Sequence, residues 1–381
     1  MFAEPLSVGI DPSINRVSGS SEGLVSYVYA LDDKDSGGSR QRYFRTLDVL
    51  YSPPQTLITG RATRVWEAQE VRAFDDPTPV EAAPSTVIMR EVWTDASAKT
   101  ESEIQFDIFA DLNSFGQRLS NGVDPEQFLD FEPDLKTHIK DLFVDEKYKE
   151  YFLTVIGECK GPVNRPPVPG YEEGADIFHF SRPGYIPANV GQKFSSAMRE
   201  DIERRYQQSY RLVYKEHCYS LNDFEPSLGL LPDAFAVLSD CLIALVLLYC
   251  AGWVHRDISP GNILLWRGVD GQPRCKIGDL EYAKKFPPSS TLPDIKTGTA
   301  GFIPVEMVYK HHFYTVVQED LTEEDDKIAN WPLQHHFQHD AESLCKRKIL
   351  DTMKAGVDDE PANSTSKRIR AQSLARTFER T

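Results

Sequence analysis

The sequence lacks the cysteine patterns that mark disulfide scaffolds and zinc sites. Its six cysteines include no Cys-x-x-Cys pair and no Cys/His set at zinc-binding spacing. They predict buried thiols of a reducing compartment, so we expect an intracellular protein of the cytoplasm or nucleus. His311–His312 and His335–His336 are adjacent pairs, whose side chains diverge on a strand or a helix, and this argues against a metal site at either pair.

A long apolar run and a leader-like N-terminus are also missing. The most apolar stretch, Cys241–Val254, has about fourteen residues where a membrane span needs about twenty, so it predicts a buried helix. Met1–Pro5 has neither basic residues nor an apolar core, which argues against a signal peptide.

Basic residues are in deficit, with 42 Lys and Arg against 58 Asp and Glu and a formal net charge of −16. This charge disfavours non-specific attraction to nucleic acid and to anionic membranes, so we expect neither as a partner, whereas a protein substrate is compatible with it. With 381 residues that are 40% hydrophobic, the chain can form one large two-lobed domain or two ordinary domains.

What the sequence does contain is a motif for phosphoryl transfer. His255, Arg256 and Asp257 are followed by Asn262, and apolar residues flank the motif on both sides. In the pattern H-R-D-x-x-x-x-N, the aspartate positions the attacking hydroxyl and accepts its proton, while the asparagine oxygen binds magnesium. For this motif alone, a polar loop between two core segments is the alternative interpretation.

Two further motifs follow in the order that this chemistry requires. A buried strand predicted over Cys275–Glu281 contains Asp279 near its end, and that carboxylate can complete a magnesium site. The run Thr297–Glu306 matches the end of an activation segment, in which Thr299 contacts the catalytic aspartate and Glu306 closes the segment.

The N-terminal half carries weaker signals. Residues 24–29 predict a strand of a small hairpin, and Leu57–Ala68 predicts a second hairpin that turns at Gly60, in the place of a phosphate-covering glycine-rich loop. Ser85–Trp93 predicts a buried strand, with Arg90 where kinases have a phosphate-binding lysine.

A glutamate is expected to pair with Arg90. Ser102–Leu112 predicts an amphipathic helix, and either Glu103 or Glu101 near its start can be the partner. A first-turn glutamate favoured by the helix dipole is the alternative for both residues.

Three elements complete the pattern. Tyr210–Glu216 predicts a strand that ends at the hinge, where backbone groups near Glu216 would bind adenine. Pro232–Ala251 predicts a central helix, on whose inner face we expect Ala236, Leu238, Leu242, Leu245, Val246 and Tyr249. Asp340 either caps the start of a helix or lies buried beneath the catalytic loop and accepts its backbone N–H groups.

Together these motifs resemble the fungal-type protein kinase family, over roughly residues 40–345. The resemblance implies an α+β, two-lobed protein-kinase-like fold, with a small lobe of antiparallel strands and one helix, a mainly helical large lobe, and ATP with magnesium as cofactors. It further implies that Asp257 is the base, that Asn262 and Asp279 bind the metal, that Arg90 contacts phosphate, and that Arg256 ties the loop to the activation segment.

The resemblance also implies domain limits. They are 1–50 for an N-terminal extension, 51–216 for the small lobe with an insertion within 113–208, 217–345 for the large lobe, and 346–381 for a charged, disordered tail. Few residues follow Asp340, so we expect an incomplete large lobe in which Glu306 lacks the arginine partner that the family supplies.

The sequence departs from the family at several positions. Arg90 replaces a lysine, Ser259 stands where serine/threonine kinases have another lysine, and Glu281 replaces the D-F-G glycine. Three functions remain open: an ATP-dependent protein kinase, a kinase-like scaffold without transfer activity, and a small-molecule phosphotransferase. The Gly-Thr…Glu segment over 298–306 argues against the last.

Overall fold

The structure is a computed structural model, and it describes residues 11–17, 25–33, 40–52, 63–80, 85–129, 131–163, 207–221, 231–268, 271–287, 299, 301–309 and 336–345. The chain divides into two compact units. The first comprises Met1–Phe106 and Leu153–His217, and the second comprises Asp107–Phe152 and Cys218–Thr381.

The first unit is built on an antiparallel sheet. Its strands are β1 (Ile14–Val17), β2 (Ser26–Asp33), β3 (Gln41–Tyr51), β4 (Arg64–Val71), β5 (Thr86–Asp95), β6 (Val155–Val163) and β7 (Gln207–Tyr214). Their order is β1-β2-β3-β4-β5-β7-β6, and β6 also pairs with β2 through Asp32–Glu158 and Asp33–Gly157. The sheet therefore closes on itself, which leaves β2 and β6 without an open edge at this point.

Alternating apolar residues fill the inside of this closed sheet. On β2, β4 and β5 every second side chain is buried in one cluster, as the period of a strand requires. The members of the cluster are Tyr29, Leu31, Phe44, Trp66, Ala68, Val87, Met89 and Val213. Burial of these large side chains is the main term that stabilises the unit.

A buried ionic group lies beside this apolar cluster. Arg211 on β7 is 2% exposed, and it bonds Glu91 of β5 at 2.8 Å and Asp11 at 2.5 Å. Burial alone would raise the pKa of Asp11, but hydrogen bonds from Ser13 and Arg211 bring that pKa below its ordinary value. A guanidinium can stay buried only when its charge is paired in this way.

The sequence-based domain limits differ from the two units. Strand β3 runs across the predicted limit at residue 50, and β1 to β3 belong to the same sheet as β4 and β5. The described part of the first 50 residues therefore contributes strands to this sheet. The predicted insertion over 113–208 includes regular structure from both units. Residues 107–152 belong to the second unit, and β6 and β7 belong to the first.

The second unit is mainly helical. The helix α1 (Glu101–Ser120) begins in the first unit and most of it belongs to the second, and it extends the predicted helix in both directions. The other elements are α2 (Glu126–Leu129), α3 (Pro133–Leu142), β8 (Tyr219–Ser220), α4 (Leu231–Cys250), β9 (Trp253–Val254), β10 (Ile263–Arg267), β11 (Pro273–Ile277), β12 (Lys284–Lys285), α5 (Val305–Tyr309) and α6 (Phe337–Cys345), with 3-10 turns at Val144–Tyr151 and Leu280–Tyr282. Strands β11, β10 and β8 form one small sheet, and β12 and β9 form another.

The position of the central helix α4 agrees with the sequence prediction, but its buried face differs from the predicted one. Leu245 is buried as predicted, whereas Leu242 is 46% exposed, and the inner face instead includes Val237, Cys241 and Leu248. Because α4 is apolar on nearly all sides, its periodicity could not select one face. Among the described residues, α4 is the one helix that by length and composition could span a membrane, and a core helix meets the same criterion.

The cysteines follow the sequence prediction in part. Cys241, Cys250 and Cys275 are buried, and burial raises the pKa of Cys250 to about 12, so its thiol stays protonated. Cys159 and Cys218 are half-buried, and Cys345 is exposed. The expected antiparallel strands and several helices are present, and this combination fits a kinase-like fold.

The buried ionic group yields a stability test. Arg211→Leu should lower the free energy of unfolding by about 3 to 5 kcal/mol, because it leaves the buried Glu91 and the half-buried Asp11 without the guanidinium that bonds both. Lys160→Met is the matched control, since Lys160 and Glu103 form an exposed pair, and it should cost no more than about 1 kcal/mol. Equal losses in urea unfolding of the two variants would contradict the account.

Candidate active site

The predicted catalytic loop runs between β9 and β10, and its side chains are mostly buried. His255 is fully buried, Arg256 is 3% exposed and Asp257 is 8% exposed. Gly252 has a φ of 74° in the turn that leads from α4 into β9, and Arg256 has the same φ without being a glycine. A left-handed backbone at an arginine is strained, so other contacts must hold the loop in place.

Asp340 supplies those contacts. Its two carboxylate oxygens accept the backbone N–H groups of His255 at 2.6 Å and Arg256 at 2.9 Å. The side chain is 1% exposed, and helix α6 begins at Phe337, so Asp340 is not the capping residue. Of the two interpretations of Asp340, the buried support of the loop is therefore confirmed.

His255 joins the loop to the end of β11. Its Nε2 lies 3.0 Å from the carbonyl oxygen of Gly278, and its Nδ1 lies 3.3 Å from the backbone nitrogen of Asp257. This network assigns the proton to Nε2, because Nδ1 must accept from an N–H group. His255 thus positions Asp257 and Gly278 relative to each other.

The Asp257 carboxylate is held on both oxygens. Oδ1 accepts the backbone N–H and the hydroxyl of Thr299, each at 2.8 Å, and Oδ2 accepts the Asn262 amide at 3.1 Å. The predicted contact between Thr299 and the aspartate is therefore confirmed. These donors fix the direction of the carboxylate.

Asn262 and Asp279 lie at the same end of the β10–β11 pairing. Ile263 pairs with Ile277, and the Gly278 N–H donates to the carbonyl of Asn262 at 3.0 Å, which places Asp279 next in the chain. Asn262 uses Nδ2 to bind Asp257, so its ligand atom for a cation is Oδ1. A carboxylate and an amide oxygen suit magnesium, and the residues present therefore fit the expected metal.

Arg256 reaches the chain that follows Asp279. Its guanidinium donates to the carbonyl of Tyr282 at 3.4 Å, a long contact with the start of the predicted activation segment. Ser259 is 3% exposed, and its carbonyl accepts the N–H groups of Asn262 and Ile263. At this position, where serine/threonine kinases have a lysine, the loop therefore carries the small hydroxyl side chain of Ser259.

Arg90 makes the expected ion pair, and the structure selects Glu101 as its partner. The guanidinium lies 2.6 Å from the Glu101 carboxylate, and both side chains are buried. Glu103, the other candidate, bonds the Thr100 N–H at 2.8 Å and the exposed Lys160 at 2.7 Å. Burial would raise the pKa of Glu103, but its bonds to Lys160 and Thr100 lower it. Glu103 therefore completes a capping box, which the Thr-x-x-Glu spacing could have shown.

Two other predicted cofactor residues have different outcomes. The Glu216 carboxylate accepts the N–H and the hydroxyl of Thr154, at 2.9 and 2.6 Å, so its side chain stabilises the end of β7. A contact of Glu216 with adenine stays a prediction for its backbone. Gly60 lies outside the described residues.

Glu306 has a partner that the sequence did not predict. Its carboxylate lies 2.8 Å from Nε2 of His339, and both side chains are almost fully buried. The expectation that Glu306 lacks a partner is therefore wrong. Helix α6 also buries His339, Asp340, Ser343 and Leu344, so its inner face is covered. The only sequence signal for this contact was the position of His339 beside Asp340.

Comparison with known proteins identifies the family. The sequence model of the fungal protein kinase family matches residues 1–345. The chain belongs to the fungal protein kinase family. A mouse relative, the inhibitor of nuclear factor kappa-B kinase subunit epsilon, is 36% identical over 83 residues, which are 20% of this chain and 12% of that protein. Membership in a fungal protein kinase family supports a kinase-like function.

The support beneath the catalytic loop gives a second test. Asp340→Asn replaces one of two charged acceptors with an amide group, so it should lower the free energy of unfolding by about 2 to 3 kcal/mol. Asp141→Asn is the matched control on the exposed side of α3 and should change stability by less than about 0.5 kcal/mol. Comparable melting curves for the two variants would contradict the role of Asp340.

Proposed function

We propose that this fungal protein kinase family member transfers the γ-phosphate of ATP to a serine or threonine hydroxyl of a protein, with magnesium as the metal and Asp257 as the base. The observation that carries the proposal is the fixed Asp257 carboxylate, held by Thr299 on one oxygen and by Asn262 on the other. A carboxylate in a defined direction is what an attacking hydroxyl needs.

Asp257, Asn262 and Asp279 have separate parts in the proposed reaction. The acceptor hydroxyl donates a hydrogen bond to Asp257, and its proton passes to that carboxylate as the oxygen bonds to the γ-phosphorus. The bond between the γ-phosphorus and the bridging oxygen breaks, and ADP leaves. ATP would supply the phosphoryl group, and bound magnesium would shield the charge of its phosphates. Asn262 through Oδ1 and Asp279 would hold the metal.

Arg90 takes the phosphate contact in this proposal. Its pairing with Glu101 at 2.6 Å holds the guanidinium in one direction, as the lysine–glutamate pair does in kinases. An arginine is bulkier than a lysine and binds in a planar fork, and Ser259 carries no charge for the transferring phosphate. We therefore expect slow turnover.

The activity test uses Asp257. The parent should transfer labelled phosphate from ATP to dephosphorylated casein when magnesium is present, and Asp257→Asn should lower the rate by at least about a hundredfold. The drop follows because an amide cannot accept the proton. Asp134→Asn, an exposed aspartate in the first turn of α3, should keep the parent rate. If the parent, Asp257→Asn and Asp134→Asn all transfer phosphate at the same rate, the proposal is wrong.

A catalytically impaired scaffold that binds nucleotide or protein is the second candidate. It is favoured by the absence of a lysine at both Arg90 and Ser259. A bound ligand raises the melting temperature by mass action, so ATP with magnesium should stabilise the parent under either function. The scaffold is supported if this stabilisation is lost in Asp279→Ala while the parent transfers no phosphate. Measurable transfer that stops in Asp257→Asn excludes it.

A further inference from the structure

Helix α6 contacts two separate segments of the second unit. Its Asp340 holds the catalytic loop through two backbone N–H groups. Its Glu342 accepts the N–H of Val305, at the start of α5, at 3.0 Å. Its His339 lies against Glu306, the second residue of α5, at 2.8 Å. One short helix therefore holds the catalytic loop and the start of α5 in fixed positions relative to each other.

The protonation state of His339 follows from its neighbours. Its Nδ1 lies 3.2 Å from the backbone nitrogen of His336, the residue just before the helix, and must accept that N–H. This is the arrangement of a capping box, with an imidazole in place of the usual glutamate or glutamine. Since Nδ1 is an acceptor, the proton lies on Nε2, and Nε2–H donates to Glu306. The ring is a neutral donor with a fixed direction.

His336 keeps this ring in place. The two imidazoles stack with centroids 3.7 Å apart and an interplanar angle of 25°, and the Phe286 ring makes a T-shaped contact with His336 at a centroid distance of 6.2 Å. His336 is half-buried, with Nε2 at 3.8 Å from the same oxygen of Glu306. The stack limits rotation of His339 away from the carboxylate.

The same three side chains resemble a metal site by proximity, since one ligand atom from each lies within 4.8 Å of the others. Their hydrogen bonds argue against a metal ion. A histidine binds zinc through a ring nitrogen that carries no proton. In His339 the single nitrogen-bound proton is on Nε2, the nitrogen that faces Glu306. The stacked rings are also close to parallel, so their nitrogen lone pairs do not converge on one point.

Glu306 is coupled to the catalytic aspartate through a short stretch of chain. The carbonyl of Thr299 accepts the N–H of Phe302 at 3.0 Å, and this turn leads into α5. The other end of the coupling is the pair of bonds from Thr299 to Oδ1 of Asp257. These bonds form a continuous path from α5 to the catalytic carboxylate.

We infer that His339 is a positioning residue for phosphoryl transfer, which holds Glu306 and thereby keeps Thr299 on Asp257. The inference rests on the proposed function, because it assigns a role within the same reaction. It identifies a neutral imidazole on α6 as a buried partner of Glu306. The imidazole adds no charge, so its contribution is direction.

The kinetic test compares His339→Leu with His339→Gln in the full chain. Leucine cannot bond Glu306, and kcat should fall by at least about tenfold, as loss of a hydrogen bond to a charged group predicts. The KM for ATP should change by less than about twofold, because the metal-binding residues are untouched. Glutamine can donate to Glu306, so it should keep kcat within about threefold of the parent.

A matched control separates positioning from simple stability. Ser343→Ala removes the buried bond from Ser343 to the carbonyl of His339 on the same helix, without touching Glu306. It should lower the melting temperature but keep kcat. Adding His339→Leu to Thr299→Val should lower kcat no further than Thr299→Val alone, because His339 acts through Thr299. Full additivity, or an unchanged kcat in His339→Leu, would overturn the inference.

A second arm does not depend on activity. Histidine-selective isotope labelling and proton–nitrogen correlation NMR should show His339 protonated on Nε2 and not on Nδ1, with the signals assigned by their loss in His339→Gln. A proton on Nδ1, or zinc binding that is lost in His339→Gln, would overturn the inference. If the parent transfers no phosphate, the proposed function fails, whereas an active parent with the opposite tautomer defeats this inference alone.

Discussion

The buried carboxylate of Asp340 is the constraint on which the rest of the site depends. The loop from His255 to Asn262 has no regular structure, and Arg256 adopts a left-handed backbone that an arginine avoids. Two short bonds from Asp340 to consecutive N–H groups hold this conformation. The position of Asp257 follows from them, and the contacts of Thr299 and Asn262 then fix the direction of its carboxylate.

The two compact units use charge in different ways. In the first unit Arg211 is buried with Glu91 and Asp11, and these ion pairs stabilise the closed sheet from inside. In the second unit the buried polar groups of α6 bond the backbone and one carboxylate, and they determine the position of loops. Buried polar groups are costly unless every partner is present, so both networks specify one arrangement of the chain.

Much of the site could be predicted because its chemistry requires particular residues at particular spacings. The contact of Asp257 with Thr299 and that of Asp340 with the backbone of the catalytic loop are the expected ones, whereas the bond from Asn262 to Asp257 was not predicted. The partner of Arg90 could not be selected by charge alone, because Glu101 and Glu103 both lie at the start of the predicted helix, and only the capping-box spacing distinguishes Glu103 in the sequence. The closure of β2 on β6 and the pairing of His339 with Glu306 depend on long-range contacts, which local patterns do not encode.

Hydrogen exchange at the N–H groups of His255 and Arg256 tests the central constraint most directly. These amides lie in a loop, where exchange is ordinarily fast, yet both are buried and bonded to one carboxylate. The account predicts that in the parent they exchange as slowly as the amides of the core helix α4. Exchange as rapid as that of exposed loop amides would contradict it.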